Sequence, residues 1–402
     1  FSRIERKKMT PDYRRTRLAC YLGYIVQAIV NNFAPLLFVH FSDAYGIPLT
    51  KITLLVTLNF GVQLCVDLAS TVLVDRIGFR ASAYISHGFS AAGLLMLAFL
   101  PDILPDPYIG ILISVVTYAI GGGLLEVVIS PIIEACPAEN KEKQMSILHS
   151  FYCWGQVGVT LVSTGFFALF GIGSFRILSV IFAIIAIANM ILFGVSPLCT
   201  LNGDGEKGMS IRELFSSKIF YVFLVMMLAS GASEQAVSQW ASSFAERGLG
   251  VSKAVGDLAG PMAFAFLMGV SRLIYGGFGH KLNMKRFMML STVLCVISYC
   301  CIVFVPDPVV GLLGCAVSGF AVGIMWPGTY SLASARLPGG GTAMFALLAL
   351  AGDIGCTSGP TLAGLVSGAA GDDLRAGILA ATVFPLMMIV CLLIMKKKKK
   401  TA

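Results

Sequence analysis

Five acidic residues lie inside long apolar stretches of this sequence: Asp67, Glu126, Glu234, Asp257 and Asp353. An ionisable group in hydrocarbon is costly and marks function unless a partner neutralises it. Glu126 is the strongest candidate for binding a proton. It follows Gly121-Gly122-Gly123, precedes Pro131, and has no Lys or Arg within two helical turns. The alternative is a structural glutamate hydrogen-bonded across a helix interface. Glu234, in Ser230-Gly231-Ala232-Ser233-Glu234-Gln235, is the second candidate for proton coupling. Asp257, near one end of its apolar stretch, reads as solvated.

Other polar groups share these surroundings. Asn31, Asn32, Gln156, Gln235, Gln239, Trp326 and Asp353 are candidates for binding a polar solute. His149 stands seven residues before Gln156 and reads as a relay or a wetted residue near a helix end. Trp154, Trp240 and Trp326 lie inside apolar stretches, where an indole offers a flat face and one N–H donor or simply fills the core. Asp67, Asp75, Arg76, Arg80, Arg272 and Lys281 sit near or two turns inside the ends of two such stretches. They read as gating residues whose ion pairs form and break between conformations.

The elements that position these groups are membrane-spanning helices. The chain is 57% hydrophobic and 12% charged, against about 25% charged in soluble proteins. Stretches near 17–42, 49–74, 81–100, 107–132, 144–170, 174–195, 218–243, 254–279, 286–305, 308–333, 342–368 and 375–395 are each long enough to cross a bilayer. The expected fold is all-α, with twelve transmembrane helices in two pseudo-symmetric six-helix bundles. The expected division is 1–195, a cytoplasmic linker at 196–217, and 218–402. Of the 29 Lys and Arg, only Lys51, Arg176, Arg247, Lys253 and Arg375 fall on the side away from the termini. The positive-inside rule then makes both termini cytoplasmic, and the expected location is the plasma (inner) membrane, as a multi-pass protein.

The two halves repeat. Asp67 matches Arg272 at an offset of 205 residues, Asn31 matches Glu234 at 203, Gly123 matches Gly323 at 200, and Gln156 matches Asp353 at 197. Paired repeats around a midplane site are a transporter architecture. No Gly-x-x-x-x-Gly-Lys-Ser/Thr loop occurs, and no nucleophile–base spacing stands out, so neither an ATP-driven pump nor an enzyme is expected. The basic residues are dispersed over helix flanks, which argues against nucleic acid and for contact with membrane lipid. The 11 cysteines show no CxxC spacing and read as packing residues, so neither a metal nor any cofactor is expected.

Asp75-Arg76-x-Gly78-x-Arg80 resembles the loop motif between helices two and three of the major facilitator superfamily. The segment Arg272 to Arg286 resembles its second copy. Within that superfamily the chain is most similar to the fucose permease group of sugar/proton symporters. Gly123-Leu124-Leu125-Glu126 with Pro131 carries this, together with Gly323-Ile324-Met325-Trp326-Pro327, Tyr330-Ser331-Leu332, Gly352-Asp353 and Gly359-Pro360. The resemblance implies alternating access, a monomer, and a proton-coupling role for Glu126. The group's helix-one acid is replaced here by Asn31 or Asn32. The expected function is proton-coupled import of a small polar solute, a sugar foremost. The alternatives are a drug/proton antiporter, whose helix-five proline is missing from Gly155-Gln156-Val157-Gly158-Val159-Thr160, and a lipid-handling or sensor protein.

Overall fold

The computed structural model describes residues 13–137, 141–198, 209–278, 283–337 and 339–395. In the first half, α1 spans Arg14–Tyr45, α2 Leu49–Ile77, α3 Phe79–Ile103, α4 Pro107–Ala135, α5 Lys141–Phe170 and α6 Phe175–Val195. In the second, α7 spans Lys218–Gly248, α8 253–278, α9 Met284–Phe304, α10 Pro308–Arg336, α11 Gly341–Ala369 and α12 Leu374–Ile394. Among the described residues there is no strand. Eleven of these helices are long and apolar enough to cross a membrane. The twelfth, α11, is as long as α2 or α4 but carries Asp353 and many Gly, Ser and Thr, as suits a helix lining a polar interior.

Sequence period explains which face each helix buries. On α6, Phe175, Leu178, Phe182, Ala186, Asn189 and Phe193 turn inward, whereas Ile177, Ile181, Ile184, Ile191 and Val195 stay exposed. One stripe packs on the bundle and the other meets lipid, as a 3.6-residue repeat requires.

Several helices are interrupted near the centre. Helix α1 tightens to a 3₁₀ turn over Ala34–Leu37, where Pro35 has no N–H to give. Helix α7 breaks between Ser238 and Ala241 and ends in a π-helical turn, Phe244–Gly248. Helix α8 passes, after its first residues Lys253–Asp257, through a second π turn, Leu258–Met262, around Pro261. Helix α10 breaks at Ile324, just before Trp326-Pro327. Broken helices beside a central site free backbone groups and let segments tilt independently.

The triple glycine of α4 answers to packing on three neighbours. A Cβ at Gly123 would stand 2.9 Å from the Gln63 backbone of α2, and one at Gly122 would meet Val30 of α1 at 3.0 Å. Gly121 lies against Ser86 and Ser90 of α3. Small residues allow this approach of backbones in a membrane bundle.

Two seams join the halves, α2 against α11 and α5 against α8. The pseudo-two-fold relation maps α2 onto α8 and α11 onto α5, so it exchanges the seams.

Candidate functional site

Polar side chains recur on one stripe of α1 and one of α2. Gln27 and Asn31 are four residues apart on α1, and Asn59, Gln63 and Asp67 continue at the same interval on α2. This spacing stacks them on facing surfaces. Gln63 Nε2 donates to Asn31 Oδ1 at 2.7 Å, and Asn59 Nδ2 donates to the same oxygen at 3.3 Å. Gln27 Nε2 donates to Gln63 Oε1 and to Glu126 Oε2, each at 3.2 Å. The amide ladder thus ends on the carboxylate of Glu126. Each of these amides makes at least one hydrogen bond, which lowers the cost of burying it, although Gln27 Oε1 and Asn59 Oδ1 find no partner.

Glu126 in turn meets two aspartates. One oxygen each from Asp67 of α2, Glu126 of α4 and Asp353 of α11 all lie within 4.8 Å of one another. Asp67 and Asp353 are half-buried and come from opposite halves. Three negative charges this close repel strongly in a low-dielectric interior, so the cluster needs a positive charge when ionised. Its donors are all carboxylate oxygens, which suit a proton or a hard cation.

The second half supplies one cation. Arg272 Nη2 of α8 pairs with Glu234 Oε2 of α7 at 3.2 Å, and its Nη1 reaches Cys153 Sγ of α5 at 3.3 Å. Glu234 also accepts from Gln235 Nε2 at 3.4 Å. Gln239 Nε2 donates to Gln235 Oε1 at 3.0 Å and crosses to the Asn31 backbone carbonyl at 3.3 Å. Gln156 Nε2 crosses the other way, to Ser238 Oγ at 2.9 Å. Asn32 Nδ2 bonds to the Ala28 carbonyl at 2.9 Å and to Tyr152 Oη at 3.4 Å. Trp326 is half-buried, edge-on to Tyr330 at 6.4 Å.

The two sides of this centre differ. Toward the face opposite the termini, Asn31, Gln156, Gln235 and Gln239 are all at most 5% exposed. The α2–α11 seam is tight there: Thr50 meets Gly368, Thr53 meets Gly364, Thr57 Oγ1 meets Thr361 Oγ1 at 2.6 Å, and Gly61 meets Thr357. Toward the terminal face, His149 is exposed beside Tyr24, with ring centroids 5.3 Å apart. Among the described residues, the centre is therefore closed on the face opposite the termini.

Two pseudo-symmetric six-helix units around a polar centre have counterparts among known proteins. The sequence matches the family model for the Major Facilitator Superfamily over residues 20–360 and again over 262–402. The chain belongs to the major facilitator superfamily. No curated protein matches its sequence. Among solved structures, a D-xylose–proton symporter aligns with a TM-score of 0.77 at 15% identity, over 95% of this chain and 97% of the other. A bacterial homologue of the human lysosomal transporter Spinster, inward-facing and occupied, aligns at 0.75 and 16%, over 96% and 97%. A variant of the E. coli fucose:proton symporter FucP aligns at 0.65 and 14%, over 96% and 100%. At these identities the likeness establishes the shared fold.

Within this facilitator fold, several residues stand elsewhere than their sequence positions imply. Asp67 and Arg272, read as gating residues near the helix exits, do not face each other and both join the central site. Each is a charge two turns inside hydrocarbon and takes the nearest opposite or proton-sharing group. Arg80 bonds within its own half, donating to the carbonyls of Phe193 at 2.9 Å, Gly194 at 2.5 Å and Ser196 at 2.8 Å. Lys285, its repeat mate at an offset of 205, likewise donates to the Met395 carbonyl at the end of α12. Both cations cap the last helix of their bundle, where carbonyls lack partners. Arg76 is exposed, Lys281 lies outside the described residues, and so does the side chain of Asp75. Asp257, expected to be solvated, is 0% exposed and bonded on three sides, because Lys253 one turn away neutralises it. Trp240 is core: its Nε1 donates to the Pro360 carbonyl at 3.0 Å.

Gln27, Asn59, Gln63, Tyr24 and Tyr152 escaped the sequence reading. The four-residue interval of amides on α1 and α2 is the signal that would have found the first three.

Proposed function

We propose that this chain is a secondary active transporter that imports a small polar solute, a sugar foremost, together with protons. The observation that carries the reading is the three-carboxylate cluster of Asp67, Glu126 and Asp353, contributed by both halves and continuous with buried amides. Glu126 binds the coupling proton, and Glu234, held by Arg272, is a second ionisable group in the same centre. Asn31, Asn32, Gln156, Gln235, Gln239, Trp326 and Asp353 line the solute path. Amides and an indole face suit the hydroxyls and C–H faces of a carbohydrate.

Three structural neighbours carry polar-solute functions in their names: a D-xylose–proton symporter, a fucose:proton symporter and the nucleoside transporter NupG, the last at a TM-score of 0.74 and 13% identity. They support a polar cargo and leave its identity to experiment. In this reading the chain works as a monomer in the plasma membrane, with both termini cytoplasmic. Residues 1–195 and 218–402 rock about the centre, joined by the linker at 196–217.

The test is lumenal pH in proteoliposomes while sugars and other polar metabolites are added outside, for wild type and Glu126→Gln. Solute-dependent acidification that the variant loses, with solute exchange retained, is expected. A variant that still accumulates solute against a gradient removes Glu126 from the coupling role. Lumenal alkalinisation would replace symport by antiport, and silence toward every solute would favour lipid handling.

A further inference from the structure

The outer ends of α7 and α8, on the face opposite the termini, carry charged groups that the proposed transport chemistry does not use. Asp257 is fully buried. Lys253 Nζ reaches it at 2.9 Å and reaches Glu246 at 3.1 Å. Ser242 Oγ donates to Asp257 Oδ1 at 2.5 Å. The remaining bond leaves the bundle: Thr164 Oγ1, on α5 of the other half, donates to Asp257 Oδ2 at 3.4 Å. A second tie also crosses the halves, from Arg247 Nη2 to Asp43 Oδ1 at 2.6 Å, between side chains that are 36% and 69% exposed. Phe38 of α1 also packs on Trp240 of α7 across the halves, with ring centroids 5.5 Å apart.

The backbone at this place is equally unusual. Two π-helical turns flank the connection between the helices, Phe244–Gly248 closing α7 and Leu258–Met262 following the first residues of α8, Lys253–Asp257. A π turn is wider than an α turn and recurs where a helix must change register or bend. Pro261 sits in the second, so that turn has a missing N–H as its cause. A Cβ at Gly260 would stand 3.2 Å from the Ala241 carbonyl, so the two helix ends touch nearly backbone to backbone. The ends of α7 and α8 are thus joined to each other and set apart from the rest of their helices by hinges.

We propose that the paired ends of α7 and α8 are a hinged outer gate whose closed position is held by Asp257 bonding to Thr164 of the other half. Lys253 is the counter-charge that lets Asp257 stay buried there, and Asp43–Arg247 is a weaker exposed tie. The gate rests on the alternating-access reading and adds to it the residues that hold the side away from the termini shut.

The charges fix an order of effects. Removing Lys253 leaves the buried Asp257 carboxylate facing Glu246 without a cation, which is a strong perturbation. Removing the Asp257 charge as well takes that penalty away. Neutralising Asp43 breaks only an exposed pair.

The reporter is Ser243→Cys. Ser243 is 3% exposed, its hydroxyl has no partner, and it lines the small outer cavity with Phe38, Ile52 and Arg247. A membrane-impermeant maleimide is applied to the face opposite the termini, and modification at position 243 is followed by mass spectrometry, which separates it from the native cysteines. Lys253→Met is expected to speed modification at least about tenfold. Adding Asp257→Asn should return the rate to within about fivefold of the parent, and Asp43→Asn alone should change it by less than about fivefold. An unchanged rate in Lys253→Met, or a double variant as fast as Lys253→Met, overturns the gate. If Lys253→Met does not fold, Thr164→Val decides, with a rise of about threefold expected and no rise refuting. Solute-driven proton flux measured on the Ser243→Cys parent separates the two readings: flux in the parent with unchanged labelling in Lys253→Met removes the gate alone, and faster labelling in Lys253→Met with no flux in the parent removes the coupling alone.

Discussion

Replacing Arg272 with Met should destabilise the protein through Glu234 rather than through lost packing. The two side chains meet at 3.2 Å and are 18% and 9% exposed, so solvent screens the pair little. Coulomb's law with an effective dielectric constant near 20 gives about 5 kcal/mol of attraction at that distance. Bringing both charges out of water offsets much of it, and removing one partner of such a pair costs about 3–5 kcal/mol because the other remains uncompensated. Methionine keeps most of the aliphatic stem, so the change isolates the charge. Glu234→Gln should cost less, since the amide can still accept from Gln235 and Arg272 keeps its contact with Cys153. The double variant should resemble Glu234→Gln alone, with a coupling energy above about 2 kcal/mol. The assay is unfolding by SDS in mixed micelles, followed by tryptophan fluorescence, for the four members of the cycle. Additive effects of the two single changes would refute the reasoning, because they would mean that neither charge depends on the other.

Three further outcomes follow from local geometry. Arg80→Ala and Lys285→Ala should each lower unfolding stability by about 1 kcal/mol or more by freeing carbonyls at the ends of α6 and α12, while the ratio of protons to solute stays unchanged; a changed ratio would restore a coupling role to these residues. Gly123→Ala should cost about 1–3 kcal/mol, since its Cβ would stand 2.9 Å from the Gln63 backbone and push α4 off α2; the same SDS titration reads it. Glu213 has its carboxyl held below its ordinary range, first by the Ser210 backbone N–H at 2.7 Å and then by the Ser210 hydroxyl. A depressed pKa contributes stability that is present above the unfolded value and lost as pH falls through the folded one. Amide exchange over the linker helix Ile211–Ser216 should therefore quicken as pH drops below the usual carboxylate range, after correction for intrinsic rates. Ser210→Ala should remove that dependence.

The helices were legible because each apolar run is locally complete: length, composition and flanking charge suffice to mark a span. Glu126, Glu234 and Asp353 stood out for the same reason, as charges with no local partner. Partners were not legible, because they depend on helix rotation and on register across the seams. The repeat aligned Asp67 with Arg272 and invited one role for both, yet the structure gives Asp67 to a carboxylate cluster and Arg272 to Glu234. Asp257 and Lys253 are a four-residue pair readable on one helix. Thr164, 93 residues away, turns that pair into a contact between halves, and no local pattern announces it. Arg80 belongs to a recognisable loop motif, but its work of capping α6 follows from where that helix ends, more than a hundred residues later.

On the proposed reading, the α2–α11 seam connects proton binding with the change of access. Its contacts pair Thr50 with Gly368, Thr53 with Gly364, Thr57 with Thr361 and Gly61 with Thr357, one helical turn at a time in antiparallel register. Small neutral groups let the backbones close along this whole length. Further toward the terminal face, past the end of that register, Asp67 of α2 and Asp353 of α11 bring carboxylate oxygens within 4.8 Å of each other. Two ionised carboxylates there would repel and hold this part of the seam apart, whereas a shared proton removes the repulsion and supplies a hydrogen bond between the halves. On the proposed reading, proton uptake through Glu126 and its neighbours therefore favours closing the terminal side, and proton release favours opening it. The proposed outer gate of α7 and α8 opposes it from the other face: Asp257 has its counter-charge in Lys253 and bonds to Thr164 across the halves. A cycle then needs solute and proton together to tip the balance, since the proton rewards closure of the α2–α11 seam on the terminal face and only opening of the α5–α8 seam on the other face breaks the bond to Thr164.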